Sequence, residues 1–482
     1  MNKSLWTDKI KAWIEEHRAE MVEDIVRLVR IKSVSDKTTD VKPYGQGCKD
    51  ALDTMLEMAQ GYGFQVHNFE DYFGRIGLGN GDGPTISLWG HLDVVPEGED
   101  WDYPPYEGVV KEGLIIGRGS QDNKGQVVAT LFVMRCIRDL GIPLDHNLEL
   151  YVGTDEEQGM TDLDYYLSRY PEPDFNIIPD SNFPVCYGEK GGVTLTVRAD
   201  APLSDDIVAF SGGTASNVVP GKSFATIRQS ERVRKAMPYL KTILQVEEED
   251  EVVHLTASGK AGHTAFPENS VNAIYVLTRA LTESGALNEP DSRLFSLLNR
   301  VNEDCFGIGL GIAREDNHSG PLTCVGSIAG IRDGRLEVTL NVRYPITLLA
   351  QPIVEDIERT ARSYGFTIES VKDNPAHYFP ENHPVVERLM NVYNDVMGES
   401  KEAYVLPGGT YCRKFKNAIS FGMGFGKNTE RYLQPYRHLL RDGHGHAHGP
   451  DECTLIELLE KAILIYVLGL LAIDDLSYAP TE

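Results

Sequence analysis

Hydrophobic and polar positions alternate in texture along the first third of the chain, from helical spacing to short apolar runs. The opening MNKSLWTDKIKAWIEEHRAEMVEDIVRLVRIKSV carries charges throughout and predicts an amphipathic helix. A second helical pattern precedes FQVHNFEDYFGRIGLGNGDGPTISLWGHLDVV, whose Gly/Asp-rich centre predicts a hairpin turn between two strands. A strand near 113–116, a helix opening near Lys124, the strand NLELYVGT and the short strand FNIIP follow. Strands separated by helices predict an α/β sheet covered on both faces, with ligands where strands end in loops.

From about residue 190 the pattern turns β-rich in GGVTLTVRAD, KSFATIRQ, EVVHLTASGK and SIAGIRDGRLEVTLNVRYP, with Asp333 and Gly334 as a tight turn. Helical patterns near 270–284 and 352–364 interrupt it, an α+β composition that predicts a second domain over residues 190–375. The α/β texture then returns, with HPVVERLMNVYNDVMG as helix, AISFGMGF as strand and a closing helix. The apolar run 462–473 is too short to span a bilayer and follows charged residues, so it predicts a buried C-terminal helix.

Composition narrows the picture. A chain of 482 residues exceeds one ordinary core, and 41% hydrophobic with 9% aromatic content excludes disorder. The net charge of −26 repels phosphate backbones and anionic membrane surfaces, so nucleic acid and membranes are excluded as partners and solubility explains the acidity. Seven dispersed cysteines, never in C-x-x-C spacing, predict reduced thiols in a cytoplasmic setting, and the charged N-terminus does not match a signal peptide.

Seven metal-competent side chains fall at the ends of strand-like segments: His91, Asp93, Asp122, Glu156, Glu157, Asp180 and His448. The strand SLWGHLDVVP carries His91 and Asp93 on one face, since side chains alternate with period two, and Asp93 can orient its neighbour or a base. In GRGSQDNKG, Asp122 leaves a glycine-rich turn before a helix, where one carboxylate can bridge two cations or simply cap the helix. In YVGTDEEQG, adjacent Glu156 and Glu157 repel at a strand mouth unless a cation neutralises them, and one can bind metal while the other stays free to take a proton from a bound water. A solvated acidic turn is the plain alternative there, and for GHGHAHGPDE it is a metal-scavenging tract. Their recurrence at successive strand ends points to a metallohydrolase. His448 lies beyond the second domain yet groups with the early ligands, which makes residues 190–375 an insertion into a domain of residues 1–189 and 376–482.

Taken in order, GHLDVVP, GRGSQDNKG, GTDEEQG, IIPDSN, EKGG and HGPDE resemble the signature of the co-catalytic di-zinc metallopeptidases, which include aminoacylase, carboxypeptidase G, carnosinase and bacterial dipeptidase V. LPGGTYCRKFKNAISFG is similar to the dipeptidase V branch. The resemblance implies a zinc-peptidase α/β catalytic domain with a covered mixed sheet, interrupted by an α+β lid. It implies His91 and Asp180 on one zinc, Glu157 and His448 on the other, Asp122 bridging them, Glu156 as general base and Asp93 orienting that base. His448 is chosen over His444 and His446 because it stands four residues before Glu452. The lid would supply His263 for the oxyanion, Asn217, and Arg343 for the substrate carboxylate, a role suited to a guanidinium fork.

The implied activity is hydrolysis of free dipeptides by a cytoplasmic protein holding two zinc ions, with manganese or cobalt as alternative ions and a monomer preferred over a homodimer. An N-acyl-amino-acid deacylase or desuccinylase would use the same metals, and a non-catalytic metal-buffering scaffold could keep the fold. Three departures stand out: Asn123 replaces a second aspartate common in relatives, HTAFPENS lacks glycines after the lid histidine, and the stretch before His448 is long and histidine-rich. They bear on substrate preference and on the choice of the last histidine. No G-x-S-x-G elbow, H-E-x-x-H or dinucleotide fingerprint is present.

Overall fold

The computed structural model describes residues 3–79 and 83–478. Two compact units form: Met1–Tyr187 with Phe379–Tyr404 and Thr410–Glu482, and Gly188–Tyr378 with Val405–Gly409. Among the described residues no helix is long and apolar enough to cross a membrane. All seven cysteines carry free thiols.

The first unit begins with helices α1 (Lys3–Val29) and α2 (Gln46–Gly61), then strands β1 (Gln65–Phe69), β2 (Phe73–Leu78) and β3 (Thr85–His91). After them come β4 (Val109–Lys111), β5 (Leu114–Ile116), helix α3 (Lys124–Asp139), β6 (Asn147–Gly153) and β7 (Phe175–Ile178). The main sheet runs in spatial order β1, β2, β6, β3, β7, Ala418–Phe421, Val185–Glu189. It mixes antiparallel β1–β2–β6 pairing with a parallel core of β6, β3, β7 and Ala418–Phe421.

The predicted hairpin needs correction. β2 and β3 are not neighbours, because β6 lies between them, antiparallel to β2 and parallel to β3. The tight turn sits earlier, between β1 and β2, where Glu70 and Asp71 take φ of 55° and 63°. Part of the Gly/Asp-rich stretch, residues 80–82, lies outside the described residues.

Parallel strands flanked on both sides are buried on both faces, so TISLWGH and FNII are largely apolar, and their buried polar residues Ser87 and Asn176 hydrogen-bond each other at 2.7 Å. Trp89 on β3 stands opposite Tyr151 on β6, and their rings stack at 4.1 Å. α3 is buried over nearly its whole length and packs against α1, β3 and the closing helix Ile456–Ile473. That closing helix is the predicted apolar run, buried along one side and more.

Lys124, the first residue of α3, is fully buried, and burial pushes its pKa down to about 7. Its Nζ donates to the carbonyls of Leu28 and Ile31 at 3.1 and 2.6 Å, where α1 ends. Lys124→Met removes both donors and is expected to cost about 1–3 kcal/mol in urea unfolding. A methionine variant as stable as the parent would contradict this capping role.

The second unit is α+β. Its antiparallel sheet runs Gln245–Glu248, Val252–Ser258, Lys222–Arg228, Ile207–Gly212, Thr323–Arg332, Arg335–Tyr344, Gly191–Ala199, Phe366–Asn374. Helices Glu231–Ile243, Ala273–Glu283, Glu289–Asn302 and Ala350–Ser363 contribute to its apolar core. The predicted helices near 270–284 and 352–364 form within two residues or three of their expected ends. In EKGG, Gly191 has a packing reason: a Cβ there would fall 2.0 Å from the Tyr344 ring.

Candidate metal centre

Sheet register brings the strand-end residues together. His91 on β3 pairs with Gly153 on β6, and Leu88 pairs with Ile177 on β7, so three residues further along each strand lie His91 and Asp180. With neighbouring strands about 4.8 Å apart, the carboxyl ends of β6, β3 and β7 deliver Glu156–Glu157, His91 and Asp180 to one patch. Asp122 comes from the turn before α3. His448 comes from the loop before Cys453–Leu455, a strand paired with β5. Gly153 allows the close approach beneath, since a Cβ there would meet the Tyr411 hydroxyl at 2.0 Å and the Asp162 carboxylate at 2.3 Å.

The two oxygens of Asp122 face opposite partners. Oδ1 lies 3.1 Å from His91 Nε2, and Oδ2 lies 3.0 Å from His448 Nε2. His91 Nε2 is also 3.5 Å from Asp180 Oδ2, and His448 Nε2 is 2.9 Å from Glu157 Oε1. Two trios result, His91–Asp122–Asp180 and Asp122–Glu157–His448, each offering donor atoms within 4.8 Å of one another. His91 Nδ1 lies 2.9 Å from the Asp93 carbonyl, which can only accept, so Nδ1 donates there; Nε2 faces the Asp122 and Asp180 carboxylates, donating to them while protonated and free to offer its lone pair to an ion once that proton leaves.

Asp93 does more than support His91. Its carboxylate oxygens accept from the amides of Glu156 and Glu157, each at 3.1 Å, which fixes the backbone of the acidic pair. Asn123 is similarly busy: Nδ2 donates to Asp180 Oδ1 at 2.9 Å and Oδ1 accepts from the His91 amide at 3.3 Å. A residue that stood out in the sequence as a departure therefore orients Asp180.

Electrostatics expose a shortage of positive charge. Burial raises the pKa of Glu156 well above the ordinary carboxylate range; His91 opposes this, while Asp180, Glu157 and Asp93 add to it. Burial likewise raises Glu157 against the hydrogen bond from His448, and raises Asp180 with help from Asp122. Asp122 is driven the other way, since hydrogen bonds from both imidazoles outweigh its burial. His448, 52% exposed, is pushed up to about 11, first by its hydrogen bond to Asp122 and then by Glu157. Burial lowers the His91 pKa, but Asp180 and its other carboxylate partners more than reverse this. Among the described residues no Lys or Arg forms an ion pair with Asp122, Glu156, Glu157 or Asp180. Imidazole and carboxylate donors crowded without a cation suit divalent ions.

The three histidines of the stretch differ in their partners. His444 lies beneath the surface, 2.6 Å from Asp451, while His446 is exposed and 3.8 Å from Glu430. His444, Asp102 and Asp451 form a third cluster with metal-like spacing. Its oxygens are already engaged, Asp451 Oδ1 by the amides of Asp102 and Tyr103 and Asp102 Oδ2 by Arg441 Nε at 2.6 Å. It reads as a clamp for the loop that carries His448.

The other sequence candidates lie in the second unit. Asn217 and His263 are exposed on neighbouring segments, with the Thr264 amide donating to the Asn217 carbonyl at 3.0 Å. Buried Thr264 donates to Asn341 at 3.0 Å and accepts from Thr323, which stands opposite Arg343 in register. Thr264 thus ties the His263 turn to the strand carrying Arg343. Gly192, also opposite Arg343, leaves room for its guanidinium: a Cβ there would sit 3.0 Å from Nη1.

Comparisons with known proteins identify the family. Residues 88–471 match the peptidase family M20/M25/M40. A Staphylococcus haemolyticus protein named "Putative dipeptidase" is 30% identical over 456 residues, covering 91% of this chain and 96% of that protein. Among solved structures, human carnosine dipeptidase 1 matches with a TM-score of 0.57 at 14% identity, covering 98% of this chain and 99% of the other. The Saccharomyces cerevisiae dipeptidase Dug1p matches with a TM-score of 0.57 at 13% identity, covering 99% and 100%. These structures share the fold. By the family match over most of its length, the chain belongs to the M20/M25/M40 peptidases and is a hydrolase.

Proposed function

We propose that the protein is a metal-dependent dipeptidase that holds two divalent ions, zinc by preference. The observation that carries this reading is Asp122, whose two oxygens address two separate His–carboxylate sets. His91 and Asp180 would hold one ion, Glu157 and His448 the other, with Asp122 shared. Bound ions of this kind acidify a water and polarise a carbonyl.

The remaining work falls to the protein's own groups. Glu156 belongs to neither trio, and its raised pKa suits a base that takes the proton of the attacking water and returns it to the leaving amine. Asp93 sets the direction of Glu156 by holding its amide. In the second unit, residues 188–378, His263 would donate to the developing oxyanion, Asn217 would contribute beside it, and Arg343 would grip the substrate's C-terminal carboxylate. That unit would act as a lid which limits substrates to short peptides.

Asp93→Asn keeps the volume but replaces one of the two acceptor oxygens with an NH2 donor, which then faces a backbone amide that itself donates. Turnover is expected to fall about 10–100-fold, the range typical of residues that orient metal-site groups, with the metal content unchanged. Wild-type turnover in this variant would remove Asp93 from the mechanism.

The test of the whole reading is a substrate panel. Chelator-stripped protein is assayed on free dipeptides and on N-acetyl and N-succinyl amino acids, with and without zinc or manganese. Metal-restored cleavage of free dipeptides is expected. Cleavage of acylated amino acids alone would make the enzyme a deacylase.

A further inference from the structure

We propose that Arg118 and Glu452, an ion pair buried outside both trios, are positioning residues that hold the two metal trios in mutual register; the inference rests on the two-ion reading above. The pair is 1% and 0% exposed, with Arg118 Nη1 to Glu452 Oε2 at 2.6 Å. Removing two charges from water is unfavourable unless their hydrogen-bonding capacity is met, and here, Arg118 Nε apart, it is met between the pair and by segments that carry the candidate ligands.

Glu452 Oε1 accepts from the amides of Gly119, Gln121 and Asp122 at 3.1, 3.0 and 2.9 Å. One carboxylate oxygen thereby fixes the turn from which Asp122 projects. The backbone carbonyl of Glu452 accepts from the Gly117 amide and the Ser120 hydroxyl, closing the turn from its other side. Arg118 Nη2 reaches the His448 carbonyl at 3.3 Å and the carbonyls of Glu97 and Pro96 at 3.2 and 3.4 Å.

Asp122 is the residue common to both trios, so its turn must be placed against His448 on one side and the loop following His91 and Asp93 on the other. Through one guanidinium and one carboxylate these three segments share a single anchor. Neither residue meets the reacting atoms on this account; they act through Asp122 and His448.

The experiment uses full-length wild type, Glu452→Gln and Arg118→Lys, stripped of metal and titrated with cobalt(II). Ion uptake is followed by calorimetry and geometry by visible absorption, beside circular dichroism and dipeptide kinetics. Both variants are expected to fold, to bind the second ion at least tenfold more weakly, to show a changed cobalt spectrum, and to lose kcat while KM changes less than twofold. Variants with wild-type affinity and spectrum would overturn the positioning role. Failure of both variants to fold would overturn it as well, since the pair would then determine folding and not ligand placement. A wild-type protein that binds fewer than two ions would refute the two-ion reading itself, an outcome separable from either.

Discussion

Glu156→Gln is expected to reduce dipeptide turnover by about 10²–10⁴-fold, the contribution of a positioned general base, while the protein still takes up two ions per chain. The side chain is not part of either trio, so its amide isostere leaves the donor atoms in place. Its backbone stays tied to Asp93, so the loop does not move. Glu156 is also held among Asp180, Glu157 and Asp93, all of its own sign, so removing its charge relieves repulsion. The thermal midpoint of the metal-free variant should therefore equal or exceed that of wild type. Steady-state kinetics beside metal analysis of dialysed protein tests this. Unchanged turnover would dismiss Glu156 as the base, and lost metal would make it a ligand.

Asp122→Asn acts on binding. Asparagine keeps the size of the side chain but gives up its charge, and it turns one of two oxygens into a donor facing an imidazole. Since the two oxygens face His91 and His448 separately, one substitution weakens both trios. Loss of affinity should exceed the roughly 10–100-fold caused by losing a residue that merely orients a ligand, and hydrolysis should fall to background. Calorimetric titration of stripped protein measures it. Two ions bound at wild-type affinity would exclude Asp122 as a shared ligand.

Much of this was legible in the chain, for a definite reason. β3 and β7 are buried on both faces, so each appears as an apolar run that stops abruptly, and the first polar residues after it lie at the carboxyl edge of the sheet. His91 and Asp180 fall at such edges; neither is distinctive singly, and the recurrence of metal-competent residues at successive strand ends is what marked them. Strand order was not legible, because pairing depends on contacts remote in sequence. β6 enters between β2 and β3, and nothing in FGRIGL or TISLWGH announces it. Helix Glu231–Ile243 was obscured by Pro238 within it, although Ser230 caps its first turn by accepting from the Val233 amide.

The supporting residues were hardest to see. Glu452 served in the sequence only as a mark from which to count back to His448. Arg118 looked like part of a glycine-rich turn, and its partner lies 334 positions away. Asn123 stood out only because it replaces a second aspartate common in relatives; its use became visible once Asp180 and the His91 amide lay on either side of it.

The most direct measurement is a metal titration of hydrolysis: chelator-stripped protein assayed on a free dipeptide as zinc is added in substoichiometric steps. Activity should be absent at the start and should rise to a plateau at two ions per chain. Full activity without metal, or a plateau at one ion, would contradict the two-ion account.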